Sequence, residues 1–201
     1  MKVVLPENIS EITLGQYQEY SEIANNEDDF NHKVKVISIF CKVPENVVDQ
    51  FPIKQIEEFY NQILKALSQE VNFTQRFEFD GVEFGFIPNL DEIKVNEFRD
   101  LTAYQNDIEN YHRLMAVLFR PITNKDKFGN YSIAEYNGTS KWADKMKELP
   151  LNFVNGALFF FSSLSKELEI STHKYIQKAQ QKERKHQTIL KGGGGMQPSS
   201  V

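Results

Sequence analysis

The stretch from Pro150 to Leu168, PLNFVNGALFFFSSLSKEL, is the most apolar segment of the chain, and it narrows most what the chain can fold into. Phe153, Ala157, Phe160, Leu164 and Leu168 recur at spacings of four, three, four and four, the stripe of one helical face, and Phe159 and Phe161 widen that stripe. Pro150 suits the first turn, where a missing N–H costs nothing. A bilayer span needs about 20 uninterrupted apolar residues, which this run lacks, so it predicts a central core helix and no membrane partner.

The remaining chain supplies candidates to pack on it. Residues 1–10 read as an extended lead able to form a short edge strand. Thr13 and Gln16 have the spacing of a capping box, predicting a helix with Leu14, Tyr17, Tyr20, Ile23 and Ala24 inward, broken at Asn25 to Asp29. From Phe30 to Cys41 a helical and a strand period compete, and the helical one is preferred. Pro44 to Gln50 predicts a short helix with Pro44 at its first position. Ile53 to Ser68 is cleanly amphipathic, with Ile56, Phe59, Tyr60, Ile63, Leu64 and Leu67 expected to face the Phe153 to Leu168 helix.

Phe77 to Phe84 alternates apolar and polar residues around Asp80 and Gly81, a strong short-range hairpin signal. A short helix is predicted from Lys94 to Leu101 with Val95 and Phe98 inward. Another is predicted from Asp107 to Arg120, stopped by Pro121 and carrying Ile108, Tyr111, Leu114, Met115 and Leu118 on its core face. Lys127 to Tyr131 reads as a second hairpin, Thr139 to Leu149 as a short helix bearing Trp142 and Met146, and Gly156 as a point of close helix packing.

Past Leu168 the apolar stripe thins. An unbroken helix from Pro150 to Lys191 would run about 60 Å at 1.5 Å per residue, longer than a domain of this size is wide. The expected fold is therefore mainly α, of α+β type: a compact helical domain with one or two small β-hairpins and a long projecting C-terminal helix. Its parts are a globular region at 1–170, a basic projecting helix at 171–191 and a flexible Gly-rich tail at 192–201.

Charge divides along the same line. Residues 171–191 hold six basic residues, Lys174, Lys178, Lys182, Arg184, Lys185 and Lys191, against the single acid Glu183, so this stretch is +5; the chain total of −5 leaves −10 for the rest. Those six are the candidate partner-binding residues, suited to an acidic partner or to the acidic body of another copy. The acidic body opposes nucleic acid, and the tail lacks aromatics to stack on bases.

Chemical signatures are sparse. The histidines His32, His112, His173 and His186 have no zinc-ligand spacing, so no metal is expected. His112 reads as a helix-surface residue near Glu109. Cys41, the only cysteine, reads as a buried structural thiol, and with no signal pattern at the start of the chain a reducing compartment is expected. No carboxylate stands on an apolar background and no glycine opens a phosphate loop, so neither a catalytic residue nor a cofactor is assigned.

Four stretches carry a family likeness: Ile12 to Tyr20 (ITLGQYQEY), Gly81 to Leu90 (GVEFGFIPNL), Tyr111 to Ile122 (YHRLMAVLFRPI) and Asn155 to Phe161 (NGALFFF). Together they resemble small tailed-bacteriophage proteins described as tail assembly chaperones or uncharacterised virion proteins, over about Glu11 to Leu168. The resemblance implies a non-enzymatic morphogenesis role in the host cytoplasm. In one version the chain holds an amphipathic partner, such as a tape-measure protein, until tail tube subunits assemble around it. In the other it is a structural virion component, a head–tail connector or ring protein, whose basic helix and tail lock neighbouring copies together.

Overall fold

The computed structural model describes residues 3–24 and 30–163, and divides the chain into two units, 1–157 and 158–201. The predicted break at Asn25 to Asp29, the stripe positions Leu164 and Leu168, the basic helix and the Gly-rich tail lie outside the described residues.

The fold is α+β. Helices α1 (Leu14–Ile23), α2 (Phe30–Cys41), α3 (Glu45–Val48) and α4 (Ile53–Leu67) lead into strands β1 (Arg76–Phe79) and β2 (Val82–Phe86). Then come α5 (Val95–Tyr104), α6 (Tyr111–Leu118), β3 (Phe119–Lys125), β4 (Tyr131–Ile133) and α7 (Ala143–Met146). The chain is helical again over 151–163, here α8. Among the described residues the strands form one antiparallel sheet in the order β1-β2-β3-β4, so the two predicted hairpins belong to a single sheet, with α5 and α6 inserted between β2 and β3.

Local chemistry accounts for most of these elements. The capping box at the start of α1 is formed, with Gln16 N donating to Thr13 Oγ1 and Thr13 N donating to Gln16 Oε1. The next free donors of α1 reach across the chain: Leu14 N to Leu149 O at 2.9 Å and Gly15 N to Lys147 O at 2.7 Å. Leu151 N returns a bond to Ile12 O, so the start of α1 is stitched to the link between α7 and α8. In the first hairpin Asp80 and Gly81 take φ of 51° and 70°, the left-handed pair that a two-residue turn between twisted strands requires. Residues 3–8 carry no strand, and a 3-10 turn at Ile9–Glu11 follows them. Pro44 caps α3 rather than occupying its first turn.

Helix α6 lies at the centre of the first unit. Every residue from Leu114 to Arg120 is buried, and α6 packs against α1, α5 and α7. The helix also ends earlier than its periodicity predicts. Ile108–Asn110 is a 3-10 turn, and Phe119 adopts φ −117° and ψ 127°, so the chain passes from helix to strand with no intervening loop. Pro121 disfavours helical angles at Arg120, and Gly85 and Phe86 of β2 offer pairing partners to Arg120 and Phe119. In α8 the buried face is Leu151, Val154 and Ala157; Phe153 is half-buried and Phe159 is exposed, so the predicted stripe is rotated by about one position.

An aromatic layer joins the sheet to α8. Phe77, Phe84, Phe86 and Phe119 alternate onto one sheet face, with Phe77 stacked on Phe153 at 4.5 Å and tilted against Phe119 at 4.9 Å, and Phe86 edge-on to Phe119 at 5.3 Å. Burial of each such ring contributes about 1.5–3 kcal/mol. The segment after α4 closes on the same helix: a Cβ at Gly156 would lie 2.7 Å from Asn72 O and 3.2 Å from Phe73 Cα. The close approach at Gly156 is thus to an extended segment rather than to a helix, while α4 packs on α2.

Because the atoms facing Gly156 are backbone, they cannot swing aside. Gly156→Ala is expected to lower stability by about 1–3 kcal/mol through overpacking, outweighing the helix-propensity gain of about 1 kcal/mol. A fall in the urea midpoint at unchanged m-value checks this.

Candidate functional site

The first strand residues of β3 place one side chain on each face of the sheet. Phe119 joins the aromatic layer, so Arg120 must leave by the opposite face, towards α5. There its guanidinium is buried, 9% exposed, and Nη1 donates to Glu97 Oε1 at 2.9 Å, with Glu97 itself only 5% exposed. The Tyr136 ring lies 5.6 Å from the guanidinium carbon, and the Tyr136 hydroxyl donates to Asp100, one turn after Glu97 on α5. Burial and the Asp100 carboxylate push the Tyr136 phenol well above its usual range, so it stays protonated as a donor. Arg120 Nε is buried without a partner, a cost of about 1–3 kcal/mol for an unspent donor.

This cluster sets the rotation of α5 and reverses the predicted face. Glu97 and Leu101 point inward, whereas Val95 and Phe98 are 76% and 63% exposed. Glu97 is also the buried carboxylate that the sequence reading excludes. It stands on an apolar background, and an arginine from another element compensates it.

A second buried polar network was hidden in α1. Gln16 Nε2 donates to Ile39 O at 2.8 Å and to Phe40 O at 3.1 Å, capping two carbonyls of the last turn of α2, the first of which also accepts from Lys42 N. Gln18 Nε2 reaches Ile108 O at 2.7 Å and Glu109 O at 2.8 Å, and lies 3.2 Å from His112 Nδ1. His112 is therefore a buried residue of α6, not a surface one. Burial first, then the charges of Lys147 and Arg113, hold its imidazole below the ordinary value of 6.5. His32 is buried as well, between the rings of Tyr20 and Tyr60.

Other candidates take quieter positions. Cys41 is half-buried, and burial pushes its thiol up to about 11, which keeps it protonated and unreactive at neutral pH. Among the described residues no group of three or more His, Cys, Asp or Glu side chains is placed to hold a metal ion, and no helix is long and apolar enough to cross a membrane. Lys174, Lys178, Lys182, Arg184, Lys185 and Lys191 lie outside the described residues. Comparison with protein families, with curated proteins and with solved structures finds no match for this chain.

Two outcomes follow from the buried polar groups. Removing one partner of the Glu97–Arg120 pair strands a charge, so Arg120→Met is expected to cost about 3–5 kcal/mol, whereas Lys125→Met, which breaks the more exposed Lys125–Glu83 pair, should cost about 1 kcal/mol or less. Urea unfolding of the two variants side by side makes the comparison. For His112, the unfolded chain binds a proton that the folded chain refuses as pH falls through 6.5, so stability is lost towards acid and recovered as pH rises. Melting temperatures between about pH 5 and 7 should depend less steeply on pH in His112→Asn than in the parent protein.

Proposed function

We propose that this chain is a non-enzymatic phage morphogenesis protein, a tail assembly chaperone that holds an amphipathic helical partner such as a tape-measure protein. The observation that carries the reading is the outer face of α5. Val95 and Phe98, three residues apart on one helical face, stand open to solvent while Glu97 and Leu101 anchor the other side. A helix pinned through Arg120 and Tyr136 offers these side chains in a fixed orientation, so little ordering entropy is lost when a partner helix lays its apolar stripe against them. The buried polar groups support binding over turnover, because they are committed to one another: Arg120 to Glu97, Tyr136 to Asp100, and Gln16 and Gln18 to main-chain carbonyls. The family likeness of the four sequence stretches supports the phage context.

The test is co-expression with the tape-measure protein of the same phage, followed by mass spectrometry of purified particles and of the infected-cell lysate. The parent chain should keep the tape-measure protein soluble, be abundant in lysate and be absent from particles. Val95→Ser/Phe98→Ser should fold as the parent does and lose that solubilising effect. Retention in particles at a fixed ratio to the capsid protein would overturn the chaperone reading and favour a connector or ring component held by Lys174, Lys178, Lys182, Arg184, Lys185 and Lys191.

A further inference from the structure

Strands β3 and β4 end in a hairpin whose residues 123–130 are all exposed, and its tip carries Phe128, 80% exposed. Single apolar side chains in water are common on protein surfaces, but this one stands on a turn stiffened by its own hydrogen bonds. Phe128 N donates to Asp126 Oδ1 at 2.8 Å, Asn130 N to the same oxygen at 2.9 Å and Asn130 Nδ2 to Asp126 Oδ2 at 2.7 Å, while Asp126 N donates to Asn130 O at 2.9 Å. Lys127 holds its ammonium 5.2 Å from the centre of the Phe128 ring. A knob fixed in this way loses little freedom when a partner buries it.

A cavity of about 330 Å³ lies at the other end of the same strand, lined by Pro121, Ala134, Tyr136 and Trp142, with Glu135 and Lys141 as its exposed charges. Arg120, the third charged residue of the lining, is committed to Glu97. A cavity of about 150 Å³ already accommodates a benzene ring, so this one has room for a phenyl side chain. We propose that Phe128 of one copy inserts into this cavity of a second copy, with Lys127 meeting Glu135 and Asp126 meeting Lys141 at the rim. Charge complementarity points to a second copy as the occupant. The tip offers an adjacent anion and cation, the rim an acid and a base to match them, and Lys127, Glu135 and Lys141 form no ion pair among the described residues. One chain cannot make the contact with itself: from Pro121 to Lys125 β3 spans about 13 Å at about 3.3 Å per residue, and the tip lies beyond that. Two different patches therefore meet, a head-to-tail contact that repeats into a ring or a filament instead of closing at a dimer. Neither Val95 nor Phe98 takes part, so the contact is independent of docking on α5.

Trp142 is the only tryptophan in the chain, so its indole N–H gives a single resonance that reports on the cavity. Sedimentation velocity of the full chain from about 10 µM to 1 mM is expected to show growth beyond a dimer, with a dissociation constant inside that range as suits a small contact, and the indole signal should shift over the same range. Phe128→Ser, at the exposed tip, should weaken association at least about tenfold and hold the indole signal fixed. Lys127→Glu and Glu135→Lys, both at exposed positions, each set like charges against each other and should weaken it about three- to tenfold. Mixed in equal amounts, those two variants should associate as the parent does, because every tip then finds a rim of opposite sign on the other variant. A monomer at the highest concentration, an indole signal indifferent to concentration, association undiminished in Phe128→Ser, or a mixture no better than its two components would each overturn the proposal.

Discussion

The ion pair between Arg120 and Glu97 is the constraint on which the join between the sheet and helices α5 and α6 depends. It sits at the point where α6 becomes β3 without a loop, so the backbone there has almost no freedom to adjust. Strand alternation sends Phe119 into the aromatic layer, and Arg120 then has one direction left. A guanidinium on that side is costly unless it meets a carboxylate, and Glu97 is the group that α5 supplies. Such a pair adds little net stability compared with an apolar replacement, yet either half alone is expensive, so it selects one rotation of α5 from those a helix could adopt. The Tyr136–Asp100 bond repeats that selection one turn later.

The two glutamines of α1 act in the same manner on the other flank. Helix ends leave carbonyls without partners, and a buried end must find donors. Gln16 supplies one for the end of α2 while its own oxygen completes the α1 capping box, so a single side chain fixes both the start of one helix and the stop of another. Gln18 does the equivalent for the 3-10 turn ahead of α6 and keeps company with His112. Helix α1 is thus positioned as much by polar satisfaction as by its apolar face. Its hydrophobic pattern alone shows little of this, since Tyr17 and Tyr20 are only half-buried while both glutamines are inside.

What the sequence made legible follows from whether the determining interaction was local. The capping box at Thr13, the Asp80–Gly81 turn, the helical period of Phe30 to Cys41 and the amphipathic run of α4 each depend on residues a few positions apart, and each is found where the pattern put it. The errors lie where a distant partner decided. The helical period through Phe119 and Arg120 yields to pairing with β2, which periodicity cannot reveal; a proline at 121 marks the entry to an extended segment as well as the end of a helix. The predicted stripe of α8 was displaced because Asn72 and Phe73 pack against Gly156. Glu97, Arg120 and Tyr136 carried no motif at all, because a buried ion pair separated by 23 positions leaves no spacing signature. The one available hint was an arginine placed within the apolar run from Leu114 to Ile122, where an unpaired charge would be costly.

The reversed face of α5 bears on function in a way that the ion pair does not exhaust. Turning α5 to bury Val95 and Phe98 would withdraw Glu97 from Arg120 and strand a guanidinium, so the rotation of the helix has a structural cause. That cause fixes which positions face solvent, not which residues occupy them. Polar side chains at 95 and 98 would satisfy the same geometry and avoid exposing apolar surface, and apart from the small Ala103 the other exposed residues of α5 are polar, Asn96, Arg99 and Thr102. Leaving a valine and a phenylalanine in water forgoes about 1.5–3 kcal/mol of burial apiece. Folding of this chain does not require that loss, whereas a surface that buries the two side chains in a complex would recover it, and this asymmetry is what turns an orientation set by charge into support for a docking face.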